Sequence, residues 1–103
     1  KSTGVNILRV SSIAFFVLFH FKISNTISRE AMKIIYDYSC VVKKDQSCLL
    51  CYYSKCDEYT EDDEEWILIE LWNNERAMRS FQASPNFFFL KSKAMEKKWL
   101  NLL

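Results

Sequence analysis

The chain has 103 residues, of which half are apolar and 16% are aromatic. This length predicts a single domain, and the composition is too hydrophobic for a disordered chain. The aromatic content also favours a second buried surface, such as a dimer interface. The formal net charge is +1, without the basic excess typical of nucleic-acid-binding proteins. We therefore expect no nucleic-acid partner.

The first strong pattern is an aromatic and β-branched run at residues 13–23, which predicts a strand. Residues 13–19 also resemble the apolar core of a signal peptide, but no small-residue cleavage site follows. Seven residues are too few to span a bilayer, so we expect no membrane partner. We interpret residues 1–12 as an N-terminal extension and residues 13–103 as the domain.

A helix, two strands and an acidic run follow. Apolar residues at helical spacing predict a helix over residues 29–42, with Ser28 as its N-cap. Residues 47–55 and 65–73 alternate as strands and are expected to form a hairpin, since no crossover helix separates them. The acidic run at 57–65 (DEYTEDDEE) is interpreted as a solvated loop between the two strands.

Two helices close the chain. Asn74 is placed to cap a short helix, and Ser84 and Pro85 are placed to begin a longer one that runs toward Trp99. The resulting order predicts an α+β protein of ferredoxin-like type, βαββα(β), with an antiparallel sheet and helices on one face. The fourth strand is not visible after the last helix.

The third strand has two different faces. Its aliphatic face, predicted to pack against the helices, consists of Ile67, Ile69 and Leu71. The opposite face carries Trp66, Leu68, Glu70 and Trp72. Two tryptophans beside a carboxylate are unsuited to open solvent, so we expect a ligand or a second subunit to cover that face.

Four cysteines lie at 40, 48, 51 and 56. Cys48 and Cys51 have the spacing of a zinc or redox motif. On a strand, however, their side chains are expected to point to opposite faces, which prevents them from sharing a tetrahedral ion. We predict thiols in a reducing, cytoplasmic compartment and no metal site.

Several segments resemble the antibiotic biosynthesis monooxygenase family of dimeric α/β-barrel proteins. Residues 70–77 (ELWNNERA) resemble its strand-ending E-x-W-x-s-x-x-A pattern, and residues 80–87 (SFQASPNF) resemble its H-x-x-S-x-H-F pattern. Residues 45–49 (DQSCL) stand where the family often has E-P-G-C-L. The resemblance covers about residues 13–98. Phe81 and Asn86 replace two frequent histidines of the family, so we do not expect the haem degradation known for some members.

The resemblance implies a homodimer and a cofactor-independent monooxygenase that acts on a small aromatic or quinol substrate. In such a reaction the deprotonated substrate itself supplies the electrons that reduce dioxygen. The protein therefore has to provide an aromatic pocket without water and a group that accepts the substrate's proton. We place this pocket on the non-helical face of the sheet. The predicted catalytic residues are Trp72, Glu70 and His20. The predicted substrate-binding residues are Phe16, Leu18, Tyr52, Trp66 and Leu68.

Each of these residues also has a structural interpretation. His20 fits a partly exposed histidine at a strand end, and Glu70 fits an ion pair or hydrogen bond across a dimer. Trp72 fits a packing anchor. The alternative to an enzyme is therefore a non-catalytic dimeric module that uses the same fold for ligand binding or association.

Overall fold

The computed structural model describes residues 4–59 and 62–99. Over these residues the chain forms an antiparallel sheet of four strands and three α-helices, in the sheet order β1-β2-β4-β3. The strands are β1 (Gly4–Ser11), β2 (Ala14–Ser24), β3 (Cys48–Tyr59) and β4 (Asp63–Trp72). The helices are α1 (Ser28–Val42), α2 (Glu75–Gln82) and α3 (Pro85–Glu96). The predicted α+β class is confirmed, and the arrangement is compatible with a ferredoxin-like fold.

The segment interpreted as an N-terminal extension contributes the edge strand β1. It pairs antiparallel with β2, with Val5 opposite Phe19. Trp99, which follows α3, forms a hydrogen bond with β2 just beyond the end of β1. Its carbonyl accepts from the Lys22 amide at 2.8 Å. Within the described residues, the fourth strand therefore precedes the first predicted strand instead of following the last helix.

The register between β2 and β4 decides which face of the sheet meets the helices. Phe15, Val17 and Phe19 of β2 lie opposite Trp72, Glu70 and Leu68 of β4, and all six side chains are buried. Residues directly opposite each other in a sheet share a face. Because β2 buries its odd-numbered aromatic residues, β4 must bury its even-numbered ones.

The predicted orientation of β4 is therefore wrong. The Trp66–Trp72 face lies under the helices, and the aliphatic face of Ile67, Ile69 and Leu71 points away from them. The alternation of β4 separates its two faces correctly, but a single strand does not indicate which face is inside. The stronger signal was the continuous aromatic face of β2.

The N-termini of the helices test the N-cap residues that were predicted from the sequence. Asn74 accepts a hydrogen bond from the Ala77 amide at 2.9 Å, which confirms it as the cap of α2. Ser84 caps α3, with Pro85 in its first turn, also as predicted. The predicted cap at Ser28 is wrong, because its hydroxyl donates to Glu64 at 2.9 Å. A short 3₁₀ turn, Asn25–Ile27, leads into α1 instead.

Two chain segments are shorter than expected. Much of the predicted acidic loop belongs to strands, since β3 extends to Tyr59 and β4 begins at Asp63. Helix α3 ends at Glu96, after which Lys98 adopts a positive φ of 63°. The Trp99 amide then donates to the Ala94 carbonyl at 2.8 Å, a helix end of the Schellman type. This turn buries Trp99 against Phe21.

Candidate functional site

A buried carboxylate lies between the sheet and the helices. Glu70 of β4 is 1% exposed, which is rare for a charged residue type. The Tyr38 hydroxyl of α1 donates to Glu70 Oε2 at 2.6 Å, and Trp72 Nε1 donates to Glu70 Oε1 at 2.8 Å. Each carboxylate oxygen thus has one hydrogen-bond donor. We call these three residues, Glu70, Tyr38 and Trp72, the Glu70 cluster.

Aromatic packing holds the Glu70 cluster in place. The Phe81 ring of α2 lies 5.8 Å from the Tyr38 ring and 5.7 Å from the Trp72 ring, measured between centroids. Phe81 therefore bridges both hydrogen-bond donors of Glu70. It stands where the resembled family often has a histidine, and here it supplies an apolar cover in place of a second titratable group.

The protonation of the Glu70 cluster follows from its burial. Burial raises the pKa of Glu70 above its ordinary value, although the hydrogen bonds from Tyr38 and Trp72 oppose the rise by favouring the carboxylate. Burial, together with the nearby charge of Glu70, also raises the pKa of Tyr38. Tyr38 consequently remains a proton donor at neutral pH, and Glu70 is the titratable member of the cluster.

A groove between α1 and α3 reaches Tyr38. Its volume is about 270 Å³, and its mainly apolar lining includes Ile34, Val41 and Phe89 besides Tyr38. Charged groups of α1, among them Lys33 and Asp37, form its rim. Since the Tyr38 hydroxyl is bonded to Glu70, this side chain connects the groove with the buried carboxylate.

The predicted substrate-binding residues divide between the two faces of the sheet. Trp66 and Leu68 lie on the helical side with Glu70 and Trp72, because they pair with Phe21 and Phe19. Phe16 and Leu18 of β2, and Tyr52 of β3, lie on the opposite side. The predicted pocket therefore does not form as one site, since its members belong to different strand faces.

The predicted catalytic residues are divided in the same way. Glu70 and Trp72 are in direct contact, whereas His20 lies on the other face of the sheet. There His20 Nε2 is 3.6 Å from Glu65 Oε1, and both side chains are mostly buried. The sheet separates His20 from Glu70, so the two cannot act on the same atom of a substrate.

The side of the sheet away from the helices carries a continuous apolar surface, which we call the open face. Its members alternate with the core residues of their strands, and three of them, Leu8, Leu50 and Tyr52, are 48–63% exposed. The open face consists of Leu8, Phe16, Leu18, Leu50, Tyr52, Ile67, Ile69 and Leu71. A shallow depression of about 520 Å³ lies over Phe16, Leu18 and Ile69.

The cysteine pair is placed differently from the prediction. Cys48 and Cys51 both lie on the helical face, opposite Trp72 and Glu70, because the strand register shifts at Leu49. Burial, reinforced by the charge of Glu70, raises the pKa of Cys48 to about 11 and that of Cys51 to about 12. Both are therefore protonated at neutral pH.

Among residues 4–59 and 62–99, no group of three or more His, Cys, Asp or Glu side chains is arranged to hold a metal ion.

Tyr38 is the site residue that the sequence interpretation missed. A tyrosine within a helix is readily explained as a surface residue, but the Tyr38 side chain is only 5% exposed. A signal was present, since Tyr38 belongs to the same apolar stripe of α1 as Ala31, Ile35 and Val42. A tyrosine in a buried stripe needs a hydrogen-bond partner, and Glu70 is that partner.

Comparisons with protein-family models, curated proteins and solved structures give no match to this chain. The similarity to the antibiotic biosynthesis monooxygenase family thus remains a prediction from the residues quoted above. In the part of the chain that the structure describes, no helix is both long and apolar enough to cross a membrane.

Proposed function

We propose that this protein is a self-associating module in which two copies pack their open faces together. The product is a homodimeric α/β barrel with the sheets inside and the helices outside. The open face is the observation that carries this proposal. Association of this kind is also what the resemblance to the antibiotic biosynthesis monooxygenase family implies.

The size of the open face suits a protein partner. Four strands about 4.8 Å apart, with roughly six residues per strand at about 3.3 Å, cover on the order of 400 Å² in projection. Apolar patches of about 300–600 Å² on a monomer commonly mark interaction sites. Side-chain relief increases the contact area beyond this projection, toward the roughly 800 Å² per partner of a standard interface.

The polar end of the open face is also suited to self-association. His20 and Glu65 lie 3.6 Å apart there, and Lys22 and Asp63 lie 3.8 Å apart. Each copy thus presents an apolar centre beside polar side chains that already have partners within the chain. Such a surface leaves few polar groups without a partner when a second copy covers it, which lowers the electrostatic cost of association.

The association is tested with a lysine at the centre of the open face. We expect the wild-type protein to have twice the 12.3 kDa chain mass by light scattering. Ile69→Lys should be monomeric, because its charge would be buried without a partner in the dimer. Phe88→Lys is the matched control, since Phe88 is 66% exposed on α3 and the change should leave the dimer intact. A monomeric wild-type protein, or a dimeric Ile69→Lys protein, would refute the proposal.

The second candidate function is a cofactor-independent monooxygenase for a small phenol or quinol. The observation that favours it is the Glu70 cluster, in which a carboxylate of raised pKa contacts a tyrosine that lines a groove. Buried carboxylates with raised pKa values are frequent in acid–base sites. In this proposal the substrate binds between α1 and α3, and Glu70 accepts the phenol proton through the Tyr38 hydroxyl. The predicted pocket on the non-helical face is not used.

Dioxygen consumption with a panel of quinols tests this activity. We expect Glu70→Gln to slow the reaction by about 10²–10⁴-fold, the usual contribution of a general base. The matched control is Glu75→Gln, because Glu75 is an exposed carboxylate paired with Arg79 on α2. Activity that is the same in wild type and Glu70→Gln, or absent from the wild type, would leave only the association function.

We further propose a reducing, cytoplasmic environment. Cys40, Cys48, Cys51 and Cys56 are all thiols in the structure, without a disulfide among them. Disulfides are common in oxidising compartments and rare in the cytosol.

A further inference from the structure

The polar end of the open face contains the single histidine of the chain. Even-numbered residues of β2 and odd-numbered residues of β4 lie on the open face, so His20 and Glu65 both belong to it. His20 Nε2 and Glu65 Oε1 are 3.6 Å apart, and both side chains are mostly buried. The register partner of His20 on β4 is Ile67. The pair therefore borders the apolar part of the surface through which two copies are proposed to associate.

The surroundings of His20 define its electrostatic environment. The titratable or charged groups that share the open face near it are Lys22 on β2, Asp63 and Glu65 on β4, and Tyr52 on β3. Strand β1 places Gly4 and Asn6 beside His20, and neither residue is charged. Lys22 and Asp63 lie 3.8 Å apart and compensate each other. The charge balance of this end of the open face therefore depends on His20 and Glu65.

The net charge of the His20–Glu65 pair depends on pH. Histidine is the side chain that ordinarily gains or loses its proton between about pH 5 and pH 8. When His20 is protonated, its charge matches that of Glu65. When His20 has lost its proton, the pair carries the charge of Glu65 alone, and 3.6 Å is too long for a good hydrogen bond from a neutral imidazole. The contact therefore compensates the Glu65 charge in the protonated form only.

Association through the open face makes this difference larger. A second copy excludes water from the pair and lowers the effective dielectric constant around it, which strengthens every charge interaction there. A carboxylate without a matching cation is costly to bury, whereas an ion pair with good geometry recovers much of that cost. Each copy contributes one such pair to the dimer. The dimer is therefore expected to bind protons more tightly than the separate chains do.

We propose that the His20–Glu65 pair is a pH switch for the association of this protein, in which protonation of His20 tightens the pairing of the open faces. This inference rests on the proposed open-face dimer and adds its regulation. The sign follows from linkage, because the form that binds more protons is favoured as the pH falls. Acidic conditions thus favour the dimer, and alkaline conditions favour the separate chains.

The test is the dissociation constant of the dimer, measured by sedimentation velocity over a dilution series. The two conditions are about pH 5.5 and about pH 8, on either side of the ordinary histidine pKa. We expect the wild-type constant to be lower at the acidic pH by about tenfold or more, since each unit of pKa shift is worth a factor of ten. His20→Gln should give one constant at both pH values, because glutamine does not take up a proton.

A second variant reverses the expected effect. In Glu65→Gln, protonated His20 becomes the unmatched charge in the interface, so this dimer should be weaker at the acidic pH. The matched control is Glu75→Gln, which changes an exposed carboxylate of α2 and should keep the wild-type dependence.

The outcomes separate the switch from the dimer on which it rests. A wild-type dimer whose constant is equal at both pH values, or lower at the alkaline pH, overturns the switch and leaves the open-face dimer in place. The switch is also overturned if His20→Gln keeps the wild-type dependence, or if Glu65→Gln is no weaker at the acidic pH. A wild-type chain that is monomeric at both pH values overturns the dimer and the switch together.

Discussion

The charge of Glu70 makes the stability of this protein depend on pH in a direction that the structure defines. The perturbation is Glu70→Gln, which keeps the shape of the side chain and removes its ionisation. The glutamine oxygen still accepts from Trp72 Nε1, and its amide group donates to the Tyr38 hydroxyl oxygen. Both contacts of the Glu70 cluster therefore persist, although the hydrogen bond with Tyr38 is reversed. The pH-dependent part of the effect then reports the cost of burying the charge.

The sign follows from the raised pKa of Glu70 in the folded state. The unfolded chain titrates near the ordinary value of 4.5, so at lower pH Glu70 is protonated in both states. As the pH rises from there toward the folded pKa, the unfolded chain loses its proton first. Wild-type stability therefore falls, by up to about 1.4 kcal/mol per pH unit, and the loss becomes constant above the folded pKa.

The assay is urea unfolding followed by tryptophan fluorescence between about pH 4 and pH 8. We expect the free energy of unfolding of Glu70→Gln, minus that of the wild type, to increase with pH and then level off. Contributions from the other carboxylates cancel in this difference when they are far from Glu70. Glu75→Gln, an exposed control, should show no such rise.

Two outcomes would refute this reasoning. A difference that is independent of pH would show that Glu70 titrates equally in the folded and unfolded states. A difference that decreases with rising pH would show that the hydrogen bonds from Tyr38 and Trp72 outweigh burial and lower the pKa of Glu70. In either case, the proposal of a proton acceptor with a raised pKa would lose its support.

The remaining predictions concern the partners of Glu70. Tyr38→Phe removes the donor to one buried carboxylate oxygen and should lower the free energy of unfolding by about 1–3 kcal/mol, whereas Tyr36→Phe on the exposed side of α1 should have little effect. Trp72→Ala should destabilise by roughly 3–5 kcal/mol, and the half-buried Trp66→Ala by less. Urea unfolding measures both. A loss under about 1 kcal/mol for Trp72→Ala would contradict its burial.

The candidate site was predictable in part. A carboxylate between two tryptophans on one strand face is unusual, and this pattern points to Glu70 and Trp72, both of which are buried in the structure. Their surroundings were not predicted, because Tyr38 is 32 residues away from Glu70 in the chain. Hydrogen bonds between distant residues depend on how helix and sheet are packed, which no local pattern records.

The sequence by itself determined the α+β class, the caps at Asn74 and Ser84, and the division of β4 into two faces. These features depend on neighbouring residues, on spacing and on the period of two in a strand. The tertiary structure decided which face of β4 is inside, because β4 must follow the register of β2. It also placed β1 at the edge of the sheet. The register shift at Leu49, in turn, put Cys48 on the same face of the sheet as Cys51. Each of these outcomes depends on pairing between separate strands, which is why the tertiary structure alone could supply them.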